Sequence, residues 1–247
     1  MRVLITGGNR GLGLQLVKVF HENGHIVYPL VKTEVAVTQL KQMFSCRCFP
    51  ILADLSADES TEQIKKQLEE YTEYIDLVIN NAGITGKETE VLHTNSEELT
   101  DLFNIHCLGV IRAVKGTYVA LAKSDHPRII NVSSRLGSLH KMANKEFPQG
   151  HFSYSYRIAK AAQNMLTLCL QQEFEDKGIR VTAIHPGKLK TEIGAFDANM
   201  TPAEGAKNIY DWVIDSNEDV SGKFIEPGVG DTILQSFRIC LALLKKY

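Results

Sequence analysis

The sequence predicts an α/β fold in which a doubly wound parallel sheet of about seven strands carries helices on both faces. Apolar runs of strand length alternate with amphipathic stretches of helix length along the chain. The apolar runs contain few polar residues, which is typical of strands that are covered on both faces. A glycine-rich turn follows the first of them and leads into the first helical stretch.

Each element follows from its local pattern. The predicted strands are residues 3–6, 26–31, 47–53, 77–80, 129–133, 181–185 and 224–225. The predicted helices are residues 12–23, 34–44, 60–71, 96–122, 154–176 and 202–215. In the first helix, Leu12, Leu16 and Phe20 keep the helical period, and Gly24 ends it. Pro29 lacks a backbone donor, which argues for a second strand shorter than drawn.

Length favours one large domain rather than two. The chain has 247 residues, and we assign residues 1–230 to a single α/β domain and residues 231–247 to a C-terminal helical extension. The apolar side chains of this extension fall on one helical stripe, made of Ile233, Phe237, Cys240, Leu241 and Leu244. Such a stripe suits packing on its own domain, on a partner subunit or on a membrane surface.

Charge and cysteine content exclude several classes of protein. A net charge of −2 with 23% charged residues provides neither a basic groove for nucleic acid nor a polybasic surface. No apolar run approaches the roughly 20 residues of a membrane span, and Met1-Arg2 leads into a strand rather than a signal peptide, so we expect a cytoplasmic protein. The cysteines show no disulfide spacing, and the pair Cys46 and Cys48 lacks a second ligand pair, so no metal is expected.

The turn after the first strand reads Thr6-Gly7-Gly8-Asn9-Arg10-Gly11-Leu12-Gly13 and opens a helix. Glycines allow a tight turn and a close approach, and the backbone N–H groups of a helix N-terminus attract phosphate. An ordinary glycine-rich turn is the alternative. The position of the present turn, between the first strand and the first helix, favours a dinucleotide site of the Rossmann type. The predicted cofactor-binding residues of this turn are Thr6, Gly7, Asn9, Arg10, Gly11, Leu12 and Gly13.

The end of the second predicted strand indicates which nicotinamide cofactor binds. NAD sites usually place an acid there to bond the ribose 2′-hydroxyl, but Val31 stands at that position and Glu34 is the first carboxylate. Arg10 and Lys32 instead offer positive charge to a 2′-phosphate, unless they are simply solvated surface charges. The sequence therefore predicts NADP(H) in preference to NAD(H).

Tyr156 and Lys160 lie four residues apart, on one face of a predicted helix. A nearby ammonium lowers the pKa of a phenol from about 10, and the phenol can then exchange a proton with an alkoxide. A tyrosine–lysine pair on a helix surface is the alternative. Ser133 and Ser134 end the fifth predicted strand at the edge where such sheets bind ligands. Two interpretations are open for these serines. Either a serine hydroxyl at this edge polarises a substrate oxygen, or the serines only begin a turn.

Two further strand ends point to the cofactor. The fourth predicted strand runs into Asn81, Ala82 and Gly83, whose small and amide side chains suit a wall against the adenosine half. The third runs into Asp54 and Leu55, and the Asp54 carboxylate suits the adenine amine. A helix N-cap in the same segment is an equal alternative, with Ser56 or Asp58 as the cap.

These motifs, with Pro186-Gly187 after the sixth predicted strand, resemble those of the short-chain dehydrogenase/reductase family over about residues 1–230. The segments around Ser134 and Tyr156 look most like its C-factor and sniffer-type carbonyl reductase branch. The resemblance implies that Ser134 polarises a carbonyl, that Tyr156 is the acid/base, and that Lys160 activates it and binds ribose. It also implies a small-molecule carbonyl or alcohol substrate, a homo-oligomer (dimer or tetramer), and cofactor contacts from Pro186, Gly187 and Thr191.

One position departs from the family pattern. The family usually has an asparagine in the long helix predicted at residues 96–122, where it supports a proton relay through water. His106 stands there in this chain, and Asn104 faces a different side of the helix. With a pKa near neutral, His106 can hold a water or carry a proton, or it can simply pack in the helix. This departure leaves a second hypothesis, a non-catalytic NADP(H)-binding sensor or signalling protein.

Overall fold

A computed structural model describes residues 1–190, 197–215 and 220–228 of the chain. This part contains one parallel sheet with the strand order β3-β2-β1-β4-β5-β6-β7. The strands are β1 Arg2–Thr6, β2 Ile26–Val31, β3 Ile51–Leu52, β4 Leu77–Asn80, β5 Arg128–Val132, β6 Arg180–Ile184 and β7 Phe224–Ile225. The chain builds outward from β1 to β3 and then from β4 to β7, so the strand order reverses between β1 and β4. The predicted doubly wound α/β fold is confirmed.

The helices cover both faces of this sheet. They are α1 Gly11–Glu22, α2 Glu34–Met43, α3 Ser60–Tyr71, α4 Ser96–Phe103, α5 Gly109–Leu121, α6 Leu139–Ala143, α7 Tyr154–Phe174 and α8 Pro202–Asp215. Because successive strand residues point to opposite faces, Val3 and Ile5 pack with α1, α2 and α8. Leu4, between them, packs with α3, α5 and α7. Two separate hydrophobic layers therefore fix the strand ends that carry the candidate site.

The long helix predicted at residues 96–122 is interrupted. A π-helical turn, Asn104–Leu108, joins α4 to α5, and it buries His106 and Cys107. Single π-helical turns inside α-helices are frequent at functional sites. The interruption therefore places a buried histidine beside the strand ends. The sequence pattern predicted one continuous helix at residues 96–122 and did not indicate this π-helical turn.

Pro29 does not shorten its strand, contrary to the sequence-based expectation, since β2 spans Ile26–Val31. Val27 exchanges backbone hydrogen bonds with Arg47 and Phe49, so the odd-numbered residues of β2 face β3. Pro29, which has no N–H group, therefore lies at the break in the ladder between β2 and β3. On either side of this break, β2 pairs with Cys48 and with Ile51–Leu52. The break also explains why β3 is shorter than the predicted residues 47–53.

None of the described helices is long and apolar enough to cross a membrane. Within the same residues, His, Cys, Asp and Glu side chains form no group of three or more that suits a metal ion. Thr191 and the predicted extension at residues 231–247 lie outside the described residues.

Candidate active site

The carboxyl ends of the central strands open into one cavity of about 1090 Å³. Such a crevice forms where the strand order of a doubly wound sheet reverses. The sequence-predicted residues that line it are Gly7, Asn9, Arg10, Gly11, Leu12, Gly13, Lys32, Asp54, Leu55, Asn81, Ala82, Gly83, His106, Ser134, Tyr156, Lys160, Pro186 and Gly187. The fold thus brings motifs that are far apart in sequence to one place.

Thr6 is the exception among the predicted residues that the structure describes. It is 1% exposed and is absent from the cavity wall. Its hydroxyl accepts hydrogen bonds from the backbone N–H groups of Asn81 and Ala82, both at 2.9 Å. Thr6 therefore ties the ends of β1 and β4 together, and its predicted cofactor contact is not supported.

The glycine-rich turn has the shape that a bound diphosphate needs. Gly7 and Gly11 have φ values of +67° and +54°, which side chains rarely adopt. A Cβ atom on Gly13 would lie 2.1 Å from the Gly7 carbonyl oxygen and 2.5 Å from the Asn81 amide nitrogen. α1 begins at Gly11, and the side chain of its N-cap residue Arg10 makes no capping hydrogen bond. The turn thus directs backbone N–H groups of the first helical turn at the cavity.

At the end of β2, the cavity wall carries positive charge and no acid. Val31, Lys32 and Thr33 all line the cavity, whereas Glu34 does not. The Thr33 hydroxyl accepts a hydrogen bond from Ala36 N at 3.3 Å, which starts α2 there. These residues suit a phosphate better than a free ribose hydroxyl.

The Asp54 carboxylate is held by its own loop. Its Oδ1 atom accepts hydrogen bonds from the backbone N and the hydroxyl of Ser56, at 2.9 and 2.8 Å. These bonds, led by the backbone one, lower the pKa of Asp54 and keep it ionised. The alternative of a helix N-cap at Ser56 or Asp58 is wrong, because the N-cap residue of α3 is Glu59.

Arg112 fixes this loop to α5. Its guanidinium donates to Asp58 Oδ1 at 2.7 Å, to the Leu55 carbonyl at 2.8 Å and to Asn104 Oδ1 at 2.6 Å. Asn104 therefore faces the Asp54 loop rather than Tyr156, as its sequence position predicts. Arg112 was not predicted, since two of its three partners, Leu55 and Asp58, come from a segment that is distant in sequence.

Tyr156 lies on the first turn of α7 and contacts Ser134 at the end of β5. Burial raises the pKa of Tyr156 to about 12, and a hydrogen bond with Ser134 acts weakly in the opposite direction. The sequence led us to expect a lowered pKa, and this is wrong because burial outweighs the hydrogen bond with Ser134. Ser134 is buried, and its hydroxyl accepts from Leu136 N at 3.2 Å, which opens the 3₁₀ turn Arg135–Gly137.

Lys160 is buried one helical turn after Tyr156. Its ammonium donates to the Val132 carbonyl at 2.8 Å and to Gln163 Oε1 at 2.9 Å, and it lies 5.6 Å from the centre of the Tyr156 ring. Burial lowers the pKa of Lys160 to about 7. The ammonium is therefore held by neutral acceptors, and its charge is sensitive to pH near neutrality.

His106 packs edge-on against Tyr156, with 5.5 Å between ring centres. Its Nε2 atom lies 2.8 Å from the Ile84 carbonyl oxygen, so Nε2 carries the proton and Nδ1 is the acceptor. Burial, then the charge of Lys160, lowers the pKa of His106 to about 3. The expectation of a near-neutral pKa is therefore wrong, and the imidazole is neutral at physiological pH.

A buried polar network lies behind these residues. Asn80 Nδ2 donates to Asn131 Oδ1 at 2.8 Å, and Asn131 Nδ2 donates to Thr167 Oγ1 at 2.9 Å. The Thr167 hydroxyl donates to the Gln163 carbonyl at 3.0 Å. Ends of β4 and β5 are thus connected through α7 to the side chain that holds Lys160. Sequence reasoning missed Gln163, although its spacing from Lys160 places both on one side of a helix.

A second unpredicted group surrounds Asp197. Arg135 Nη2 and Lys188 Nζ lie 3.2 and 2.5 Å from the same oxygen, Asp197 Oδ2. Arg135, Lys188 and the buried His185 all line the cavity. His185 directly follows β6 and precedes Pro186, and a polar residue at the carboxyl end of a buried strand was the available signal.

Comparison with known proteins identifies relatives of the whole chain. Residues 1–201 match the family model for short chain dehydrogenases. The C-signal protein of Myxococcus xanthus is 28% identical over 152 residues, which cover 62% of this chain and 88% of that protein.

Two solved structures share the fold. The carbonyl reductase Sniffer of D. melanogaster has a TM-score of 0.81 at 26% identity, covering 91% of this chain and 96% of that one. The NADPH-bound carbonyl reductase from chicken fatty liver has a TM-score of 0.82 at 24% identity, covering 91% and 95%. The predicted similarity to proteins of the C-factor and sniffer type is confirmed.

Proposed function

The chain belongs to the short-chain dehydrogenase/reductase family of oxidoreductases, and from this premise we propose that it transfers a hydride between NADP(H) and a carbonyl or alcohol. The observation that carries the proposal is the convergence of Ser134, Tyr156 and Lys160 on one cavity that also holds the glycine-rich turn. These are the groups that a carbonyl reduction needs: a donor to the oxygen, a proton source and a charge that supports it.

In the direction of reduction, Ser134 and Tyr156 act on the substrate oxygen. With a pKa raised to about 12, Tyr156 is fully protonated at neutral pH, so its phenol is ready to donate. The Ser134 hydroxyl polarises the carbonyl and stabilises the charge that develops on the oxygen. Ser134 is buried and Tyr156 is partly buried, and the limited access of water strengthens these interactions.

Lys160 has two roles in the proposal. Its ammonium, held by Val132 and Gln163, places positive charge behind Tyr156 and favours the phenolate that remains after proton donation. It also serves as a donor to the ribose of the cofactor. The nicotinamide supplies the hydride when bound, and the chain supplies the proton and the orientation.

The charges at the end of β2 favour NADP(H) over NAD(H). Arg10 and Lys32 line the cavity where Val31 replaces the expected acid. Gly7, Gly11 and Gly13 would receive the diphosphate, and Asp54, Asn81 and Ala82 would face the adenosine half. Pro186, Gly187 and Thr191 are assigned to the nicotinamide half.

We assign His106 as a positioning residue. Its neutral ring contacts Tyr156 edge-on and donates to the Ile84 carbonyl, so it fixes the phenol relative to the loop after β4. A pKa of about 3 argues against proton carriage through its own titration at neutral pH. This contact replaces the relay function that the sequence alone suggested.

The proposal includes a homo-oligomer in a reducing, cytoplasmic environment. Several large apolar side chains on α4, the π-helical turn, α5 and α7 are exposed, namely Phe103, Leu108, Val119, Ile158 and Met165. In a homo-oligomer, a second copy of the chain would bury these exposed apolar side chains. The described cysteines Cys46, Cys48, Cys107 and Cys169 are free thiols, which suits a reducing compartment. Sedimentation equilibrium tests the oligomer, and a monomer at micromolar concentration would contradict it.

The central experiment follows NADPH oxidation against aldehydes, ketones, diketones and quinones. Tyr156→Phe should abolish turnover and leave the dissociation constant of NADPH nearly unchanged, because only the proton donor is removed. Tyr154→Phe, two residues earlier on α7, is the matched control and should retain turnover. Tight NADPH binding without turnover of any substrate by the wild type would favour the sensor hypothesis instead.

A further inference from the structure

Two cations meet beside the catalytic serine. Arg135 follows Ser134 directly in the 3₁₀ turn, and Lys188 follows Gly187 in the loop after β6. Both side chains line the same cavity as Tyr156, and they are 23% and 34% exposed. Neither cation is near the glycine-rich turn in sequence or is needed for the cofactor contacts proposed above. Their position makes them candidates for substrate recognition.

The space between these cations already accommodates a carboxylate oxygen. Asp197 Oδ2 lies 3.2 Å from Arg135 Nη2 and 2.5 Å from Lys188 Nζ. The hydrogen bond from Lys188 is the main cause that lowers the pKa of Asp197, so this carboxylate stays ionised. Asp197 thus acts as an internal example of the group that the pair can bind.

One carboxylate does not balance the charge around it. Arg135 and Lys188 carry two positive charges, and Asp197 is the one acid that they contact among the described residues. Glu226 is the next acid, and burial raises its pKa. Within the part of the chain that the structure describes, these two cations therefore share a single carboxylate oxygen, and the guanidinium has further N–H donors for a second carboxylate.

His185 adds a donor without a partner. It is 5% exposed and lines the cavity, and neither ring nitrogen makes a hydrogen bond to a described residue. Its Nε2 atom is 3.9 Å from Glu226, which is too long for a hydrogen bond. Burial and then the charges of Arg135, Lys188, Lys141 and Lys160 lower its pKa to about 3, so the ring is neutral. A buried N–H without a partner is costly unless a ligand satisfies it.

From these observations we infer that Arg135, Lys188 and His185 form a subsite for a carboxylate, and that the preferred substrates are carbonyl compounds bearing an acidic group. The inference rests on the proposed function, and it assigns the substrate class of that same site. The substrate carboxylate pairs with Arg135 and Lys188 in competition with Asp197 and accepts the His185 N–H. Recognition of this kind positions the carbonyl before Ser134 and Tyr156.

The experiment compares acids with matched neutral substrates. The 2-, 3- and 4-carboxybenzaldehydes and their methyl esters place the same aldehyde at three rigid distances from a charged or uncharged group. For the best isomer, kcat/KM of the acid should exceed that of the ester by about tenfold or more in the wild type. Arg135→Met and Lys188→Met should each lower this acid-to-ester ratio by about tenfold, and Asp197→Asn should raise it.

The control is Lys123→Met, which removes an exposed charge just after α5 and should leave the ratio at its wild-type value. A wild-type ratio at or below one for all three isomers, with the aldehydes still reduced, overturns the inference and leaves the proposed function standing. If none of these aldehydes is reduced, calorimetric titration of the protein with benzoate and with benzamide tests the subsite directly, and the proposed function fails only if the wider panel of carbonyl compounds is inert as well. Benzoate that binds no more tightly than benzamide overturns the inference.

Discussion

The Oε1 atom of Gln163 lies 2.9 Å from the Nζ atom of Lys160, and both side chains are almost completely buried. The second acceptor of this ammonium is the Val132 carbonyl at 2.8 Å. Because both acceptors are neutral, burial dominates and lowers the pKa of Lys160 to about 7. We expect Gln163 to limit how far this pKa falls, since a hydrogen bond to the charged form favours that form.

Gln163→Leu should move the pH dependence of catalysis. Without the amide oxygen, the pKa of Lys160 falls further, by about one unit for one charge-assisted hydrogen bond. The charged form is present below that pKa and is lost as the pH rises through it. The alkaline limb of kcat/KM for NADPH, which reports groups of the free enzyme, should therefore shift about one unit lower.

Gln163→Glu is the opposite control for this prediction. A carboxylate at the same place favours the ammonium, so the limb should move to higher pH. A limb that stays in place while kcat falls equally at all pH values would show that Gln163 matters only for packing.

The sequence predicted the place of the site better than its electrostatics. Parallel strands end at one edge, so motifs at the ends of successive strands had to converge, and Gly7, Asn81 and Ser134 do. The glycine pattern carried steric information as well, since Gly13 has no space for a side chain. The order of the elements and most of their bounds followed from the same alternation of strands and helices.

The properties that depend on burial were not accessible in this way. The pKa values of Tyr156 and His106 are set by side chains packed around them from several elements, so the ordinary pKa values of free side chains misled the sequence interpretation. The π-helical turn and the short β3 likewise result from tertiary packing, which overrides local pattern. Thr6 resembled a cofactor ligand in sequence, but the N–H groups of a neighbouring strand end occupy its hydroxyl.

Gly83 and His106 should be coupled in stability. A Cβ atom on Gly83 would lie 2.7 Å from His106 Cε1. Gly83→Ala should therefore destabilise the wild type by about 1–3 kcal/mol through overpacking. In a His106→Ala background the ring is absent, and the same substitution should cost at least about 1 kcal/mol less. Urea unfolding of the four proteins measures this cycle.

Gly116→Ala provides the control for the cycle. Its Cβ would lie 2.8 Å from Ile64 Cβ, between α5 and α3, so it creates a comparable clash elsewhere. His106→Ala should not relieve it. Additive costs for Gly83→Ala and His106→Ala would show that the ring is not what excludes a side chain at position 83.

Lys32→Asp should change the choice of cofactor. The substitution replaces a cation with an acid at the end of β2, where it would repel a 2′-phosphate and accept a hydrogen bond from a ribose hydroxyl. The affinity ratio of NADPH to NADH, measured by fluorescence titration, should fall by about tenfold or more. Lys41→Asp reverses an exposed charge on α2 outside the cavity and should leave the ratio unchanged. An unchanged ratio in Lys32→Asp would contradict the assignment of Lys32.

Stability should fall in mild acid because His185 and His106 are buried in the neutral form. Burial lowers the pKa of each to about 3, against about 6.5 in the unfolded chain. The unfolded state therefore binds more protons below pH 6.5, and stability that is complete above that pH is lost as the pH falls towards 3. At pH 5 each histidine should cost about 2 kcal/mol, since each unit of difference corresponds to about 1.4 kcal/mol.

His185→Gln isolates one of these contributions. The free energy of unfolding of this variant at pH 7.5 should be lower than that of the wild type, because the packing of the ring is lost. Between pH 7.5 and pH 5, however, its free energy of unfolding, measured in urea, should fall by about 2 kcal/mol less than that of the wild type. His126→Gln removes an exposed histidine after α5 and should show the full wild-type loss. Because the difference between the two pH values is compared within each variant, a packing defect cancels. Equal losses in the wild type and in His185→Gln would mean that His185 is not held neutral in the folded protein, and would weaken the argument that it presents an unpaired N–H to the substrate.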